Sequence, residues 1–381
     1  MTETVNTTTA HSHPSLQPAR IANLELHNRL AVAPMTRVSA TADGVPTPEM
    51  VDYYAEFGRG GFGLIITEGI TPDTLHSQGY LNQPGLATDR HVDGWRRVTD
   101  AVHATGTPIV AQLMHAGALS QGNAYGLPTI APSAIPPRGA MMEEYGGSGP
   151  WPTPREMTEQ DLDLVVEGFA AAALRAKQAG FDGVEVHAAN GYLLDQFLTT
   201  YANERTDAYG GGVENRIRLT SRVVAAIRLA VGSAMVLGVR LSQTKVNDTT
   251  YRWPGGADDA VAIFTAMRDA EADYIHIASE GRDFMETAKF PDGRTITAVA
   301  RQVTGLPVIA NGGMHDARQA ADVLDGGHAD LLSIGRGALA NPDLPNRLRG
   351  GAELERFDHA MLSPMATISN AQAWRAGTRG R

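Results

Sequence analysis

Cysteine is absent from this chain of 381 residues. That absence excludes disulfides, a cysteine nucleophile, thiolate zinc sites and cysteine-ligated iron–sulfur clusters. Positive charge is also in deficit: 32 Lys and Arg stand against 42 Asp and Glu, a formal net charge of −10. A net-acidic surface argues against nucleic acid or an anionic membrane as the main partner. No run of apolar residues reaches membrane-spanning length. The opening MTETVNTTTAHSHP lacks the apolar core of a secretory signal. The expectation is a soluble cytoplasmic protein, a monomer or homodimer, acting on a small molecule.

Glycine and proline, 41 and 21 residues, are plentiful and punctuate the chain. Short apolar runs alternate with longer amphipathic ones, the pattern of βα units. Eight candidate strands emerge: Leu30–Ala33, Gly63–Thr67, Pro108–Leu113, Gly183–His187, Met235–Leu241, Tyr274–Ala278, Pro307–Ala310 and Asp330–Ile334. Most read as apolar on both faces (LIIT, VEVH, VIA, LLSI), as expected of buried parallel strands. Between them, Thr158 and Asp161 resemble a capping box, Gly180 follows that helix, and Gly106 and Gly305 end two more. An open doubly wound sheet would share this order, yet LAVAPMTR stands where its GxGxxG turn belongs. The expected fold is α/β, a single-domain (β/α)8 TIM barrel over residues 16–350. It is flanked by a flexible tail, 1–15, and a C-terminal extension, 351–381. His11, His13 and Arg375 are expected to be solvated. A long Gly/Pro/Ser-rich connection between Gln112 and Thr158, after the third strand, is expected to cap the active site.

Barrel chemistry concentrates at the C-terminal ends of strands. Those ends supply Pro34, Met35, Thr36, Gly69, Gln112, His187, Arg240, Asn311, Gly312, Gly313, Gly335 and Arg336. Amides, hydroxyls and arginine dominate the set; paired carboxylates and metal-ligand clusters are missing from it. Such a set suits a polar planar ligand bearing a phosphate. The glycine pairs after strands seven and eight, with Arg336, match the phosphate site that barrels commonly build there. After strand four, His187, Asn190 and Tyr192 fall together. Neutral donors can grip a carbonyl or nitro oxygen, and a protonated tyrosine can deliver a proton to carbon.

HAANGYLLDQFL followed by NERTDAYGGGVENRIR resembles the signature stretch of the Old Yellow Enzyme family. Supporting stretches are APMTR at 33–37, TEG at 67–69, AQLMHAG at 111–117, VIANGG at 308–313 and GRGALANPDLP at 335–345. The resemblance implies FMN at the barrel mouth, reduced by NADPH or NADH, and then reduction of an activated alkene. It also implies residue roles. Pro34, Met35 and Thr36 would line the flavin, Gly69 and Gln112 would touch its ring, and Arg240 would face its N1 side. Asn311, Gly312, Gly313, Gly335 and Arg336 would hold the phosphate. His187 and Asn190 would bind the substrate oxygen, with Tyr192 as proton donor and Met114 beside the substrate.

Departures from the family pattern cluster around the substrate. Ala118 replaces an arginine, Met114 stands where an aromatic residue is common, and the C-terminal aromatic pair near the flavin is missing. They leave room for a specialised substrate, for oxidation or desaturation, or for a flavin carrier or sensor without turnover. A flavin-free aldolase would need a Schiff-base lysine, and Lys245 lies past strand five.

Overall fold

Eight parallel strands close into one barrel in the computed structural model, which describes residues 13–279 and 284–379. In chain order they are β1 (Leu30–Val32), β2 (Leu64–Ile66), β3 (Ile109–Leu113), β4 (Gly183–Asn190), β5 (Val236–Lys245), β6 (Tyr274–Ile277), β7 (Val308–Asn311) and β8 (Leu331–Ile334). Each pairs with its neighbours in sequence, and β8 pairs with β1 to close the ring. Helices cover the outside, among them Pro48–Arg59, Asp89–His103, Glu159–Gln178, Arg218–Val231 and Ile296–Thr304. The Thr158–Asp161 capping box forms as its spacing suggests, and Thr88 and Thr295 cap two further helices.

All eight expected strands form, but two run long. The β4–β5 pairing continues beyond His187 and Leu241, across an irregularity at Ala188/Asn190, to a last pair at Asn190 and Lys245. The reading of VEVH as apolar on both faces needs correction. Val184 and Val186 join the core with the helices, whereas Glu185 reaches across the barrel to partners on β3 and β6. Alternation along a strand sends Glu185 and His187 to the same side, and that side is polar.

Below this polar layer the barrel is apolar. Ala31, Leu64, Ile66, Val110, Val236, Ile309 and Leu331 form one cluster. Ile21 and Leu26, from the antiparallel hairpin Ala19–Ile21/Leu24–Leu26, complete it and plug the N-terminal end. The packed chain begins earlier than the boundary expected at 16. Ser15 is buried, and the His13 ring accepts from Ser15 N–H and donates to the Ala317 carbonyl at 2.8 Å, so His13 is not a solvated tail residue. His11 lies outside the described residues.

At the other terminus, Ile368–Arg379 is helical. Arg375 is paired rather than solvated: it meets both Glu56 oxygens at 3.1 Å and the Leu339 carbonyl at 2.9 Å. The long connection after β3 has structure of its own. Ile130–Ala131 pairs with Arg155–Glu156, and 3-10 turns form at Gly117–Leu119 and Glu143–Tyr145. Among the described residues no helix is long and apolar enough to cross a membrane.

Candidate active site

A layer of polar side chains spans the barrel interior beneath its mouth. Glu185 is its hub. One oxygen accepts from Gln112 Nε2 at 2.8 Å; the other accepts from Tyr274 Oη and His276 Nδ1, each at 2.9 Å. The opposite nitrogen of His276 meets Ser333 Oγ at 2.8 Å, so the chain of bonds runs from β3 to β8. Gly238 makes this possible. A Cβ there would lie 2.0 Å from the Tyr274 ring, which crosses that position to reach Glu185. Burial pushes the Glu185 carboxyl up, but His276, Arg240 and the Gln112 amide outweigh it and hold the group at about 2. Glu185 is therefore a carboxylate at neutral pH. Burial pushes the His276 imidazole down, against the neighbouring Glu185 charge that pushes it up; its Nδ1 donates to Glu185 and its Nε2 pairs with the Ser333 hydroxyl.

Above the hub, β4 and β5 place His187 opposite Arg240 in register. His187 is 5% exposed, and its buried Nδ1 has no hydrogen-bond partner among the described residues. Burial, then the neighbouring Arg240 charge, lower its pKa to about 3. At working pH it offers a neutral imidazole to whatever enters. Its ring lies edge-on to Tyr192, with centroids 5.0 Å apart.

The turn carrying Asn190 and Tyr192 is bolted to β5. Asn190 sits at φ +63°, its N–H donating to Ser242 Oγ and its carbonyl accepting from Val246 N–H. A residue later, Gly191 donates to Asp195 at 2.7 Å. Asp195 in turn takes Lys245 Nζ on both oxygens, at 2.6 and 2.7 Å, with both side chains fully buried. Burial pushes the Asp195 carboxyl up and the Lys245 ammonium down, each opposed by the other's charge. Lys245 thus lies within β5, committed to Asp195, and is no Schiff-base lysine. Met114 and Tyr192 share an apolar cluster with Val38, Tyr80, Ala116, Leu119 and Trp151. Gly69 lies against Met114: a Cβ there would come within 2.5 Å of its sulfur. Ala118, where the family pattern has arginine, is buried, and its N–H donates to Gln196.

A second group of expected residues lines an open cavity of about 940 Å³ at the ends of β7 and β8. Asn311, Gly312, Gly313, Gly335 and Arg336 all border it. Gly312 and Gly313 have φ of +118° and +71°, a backbone that side-chain-bearing residues rarely adopt. They leave bare backbone facing the cavity. Arg318 and Arg356, which the sequence reading missed, add positive charge to its walls, where Asp316, Asp322 and Glu355 also stand. Pro34, Met35 and Thr36 are half-buried after β1. A Cβ on Gly335 would lie 3.6 Å from the Met35 sulfur, so the β1 and β8 ends share one wall.

These residues suit FMN. The bare glycine backbone and the wall arginines match a phosphate, and the cavity is not plugged by side chains. The unpartnered His187 nitrogen and the neighbouring Arg240 provide polar groups at the strand ends. Tyr80, Glu185, Tyr274 and His276 are further residues that sequence reasoning missed, whereas Glu68 was legible as a strand-end residue beside Gly69. A charged residue inside an apolar strand (Glu185 in VEVH) was the signal that could have found the hub.

Comparison with known proteins identifies the family and the barrel. The model of the NADH:flavin oxidoreductase / NADH oxidase family matches residues 16–355. A flavin oxidoreductase of Emericella nidulans is 36% identical over 370 residues, covering 91% of this chain and 93% of that protein. A probable flavin mononucleotide-dependent alkene reductase of Leishmania infantum is 36% identical over 352 residues, with 91% and 93% covered. Among solved structures, the old yellow enzyme homologue from Zymomonas mobilis superposes with a TM-score of 0.83 at 32% identity, covering 93% of this chain and 99% of that one. Morphinone reductase in complex with tetrahydroNAD gives 0.80 at 34% identity, with 91% and 93% covered. The chain belongs to the NADH:flavin oxidoreductase / NADH oxidase family, FMN-dependent oxidoreductases of the Old Yellow Enzyme type.

Proposed function

We propose that this enzyme reduces the carbon–carbon double bond of an alkene activated by a carbonyl or nitro group, with NADH or NADPH as reductant. One observation carries the reading: a neutral, buried His187 with an unpartnered nitrogen stands edge-on to Tyr192. When bound and reduced, FMN supplies the hydride that the β-carbon of the alkene accepts. His187 and Asn190 hold the activating oxygen and stabilise the negative charge that gathers on it. Tyr192 gives its phenolic proton to the α-carbon. Asn311, Gly312, Gly313, Gly335 and Arg336 hold the cofactor's phosphate, and Arg240 stabilises negative charge on its ring. Pro34, Met35, Thr36, Gly69 and Gln112 line that ring. The connection after β3, through Trp151 and Tyr145 packed near Tyr192 and Tyr80, forms a wall that excludes water. Met114 shapes the substrate pocket.

The test separates the two half-reactions. Anaerobic NADH or NADPH should bleach the yellow holoenzyme, and an enone, maleimide or nitroalkene should restore its colour. Tyr192→Phe should slow the second step by up to about 10²–10⁴-fold while leaving bleaching unchanged. Equal slowing of both steps would remove Tyr192 from the role of acid. Bleaching that no activated alkene reverses would remove the alkene.

A further inference from the structure

We propose that Tyr80 is a positioning residue for this acid: its hydroxyl donates to the Tyr192 oxygen, frees the Tyr192 proton for substrate, and stabilises the phenolate left behind. The inference rests on the reading of Tyr192 as proton donor. The two hydroxyl oxygens are 2.5 Å apart, although 112 residues separate them in sequence. Tyr80 comes from the segment after β2 and Tyr192 from the turn after β4, so folding alone brings them together.

The direction of the bond follows from what surrounds Tyr80. It is fully buried, clustered with Val38, Met114, Ala116, Leu119 and Trp151, and its ring lies 4.8 Å from that of Tyr145. Among the described residues, Tyr192 is the one partner of its hydroxyl. Were Tyr192 the donor, the Tyr80 proton would be buried with no acceptor, an arrangement that folded proteins avoid. Burial also pushes the Tyr80 phenol well above its ordinary range, so the proton stays on it. The Tyr80 backbone is held as well. Gln83 Oε1 accepts from Gly79 and Tyr80 N–H, while Gln83 Nε2 donates to the Gly69 carbonyl at 2.7 Å. The donor is thereby fastened to the barrel mouth itself.

In the proton-transfer step the Tyr192 O–H bond breaks and a C–H bond forms at the substrate α-carbon. The electron pair of the broken bond remains on the Tyr192 oxygen. Tyr80 already points an O–H at that oxygen, and the bond becomes charge-assisted as the phenolate forms. Solvent then restores the Tyr192 proton. The other titratable groups around the pair are His187 and Tyr145, in ring contact, and Glu144, which acts on Tyr80 through space.

The experiment follows reoxidation of the NADPH- or NADH-reduced holoenzyme by cyclohex-2-enone from pH 6 to pH 11. Wild type, Tyr80→Phe, Tyr192→Phe and the double variant are compared. Tyr80→Phe keeps the ring in its apolar pocket; the bound-flavin spectrum and melting temperature report that the fold is intact. We expect Tyr80→Phe to slow reoxidation roughly 10-fold at pH 7 without slowing reduction. The alkaline limb, where Tyr192 loses its proton, should move up by about one pH unit, because the phenolate has lost its donor. The double variant should match Tyr192→Phe alone, since Tyr80 acts through Tyr192. Faster reoxidation by Tyr80→Phe would make Tyr192 the donor and overturn the proposal. An unmoved limb, or independent losses in the double variant, would overturn it too. If Tyr192→Phe itself reoxidises normally, the acid assignment falls first and this inference falls with it.

Discussion

Glu185 is the side chain on which most of the buried polarity converges. Three donors from two other strands end on its two oxygens, and no water-exposed edge remains. Glu185→Gln keeps the size but offers one acceptor oxygen and a new donor to a site already full of donors. Removing one charge from such a buried set costs about 3–5 kcal/mol. The loss should appear as a lower midpoint in urea unfolding of the FMN-loaded enzyme; a change below about 1 kcal/mol would show that the hub contributes little. This residue also shows why the site was only partly legible. The strand-end residues announce themselves by position and type. The partners of Glu185 lie 73, 89 and 91 residues away, and nothing in VEVH reveals which strand supplies them. Tyr80 was hidden for the same reason, in a stretch with no periodic pattern of its own.

The strands themselves were legible because most are short apolar runs with glycine or proline at an end, and burial between helices and barrel interior requires that composition. Their extent was not. The extra residues of β4 and β5 are held by cross-strand bonds around the Asp195–Lys245 pair, a tertiary contact that local sequence does not encode. That pair fixes the turn bearing Asn190 and Tyr192, so it joins stability to chemistry. Lys245→Met alone strands the Asp195 charge and should destabilise by about 3–5 kcal/mol, with slower alkene reduction. Adding Asp195→Asn removes the stranded charge while retaining an acceptor for the Gly191 N–H, and should recover most of the loss. Urea unfolding of the four proteins gives the coupling; a double variant no better than the single would rule out charge as the cause. The two glycines after β7 make a separate prediction. Gly313→Ala, at φ +71°, should weaken FMN binding by about 10-fold or more, read by fluorescence titration, because backbone strain would pull the loop out of the shape proposed to hold the phosphate.

Over the whole molecule, the barrel holds the buried His187 and His115 neutral, and that makes stability depend on pH. Burial lowers His187 to about 3 and His115 to about 4, so neither takes a proton in the folded state at pH 5. An unfolded imidazole, with a pKa of about 6.5, does. Their contribution to stability is therefore complete above that pKa and is lost as the pH falls toward the folded values. Glu68 works the other way. Burial raises its carboxyl to about 7, against the Arg37 N–H bond and charge that oppose it, so the folded chain holds a proton that the unfolded chain releases. Its contribution is complete below the unfolded carboxylate range and fades as the pH rises through 7. Between pH 5 and 6 the two histidines outvote the one carboxyl, and His276, also pushed down by burial, adds to their side. Unfolding free energy should fall by at least about 1 kcal/mol from pH 6 to pH 5. His115→Asn isolates one member of the set. Asn Oδ1 can accept the Gly117 N–H that His115 Nδ1 now takes at 3.1 Å, but it cannot titrate. Whatever its stability at pH 7, this variant should show a pH slope shallower by about 1.4 kcal/mol per unit, one proton's worth. Identical slopes for the variant and the wild type in urea unfolding at pH 5.0, 5.5 and 6.0 would mean that His115 is protonated in the folded chain, and the buried-imidazole account of acid sensitivity would fail.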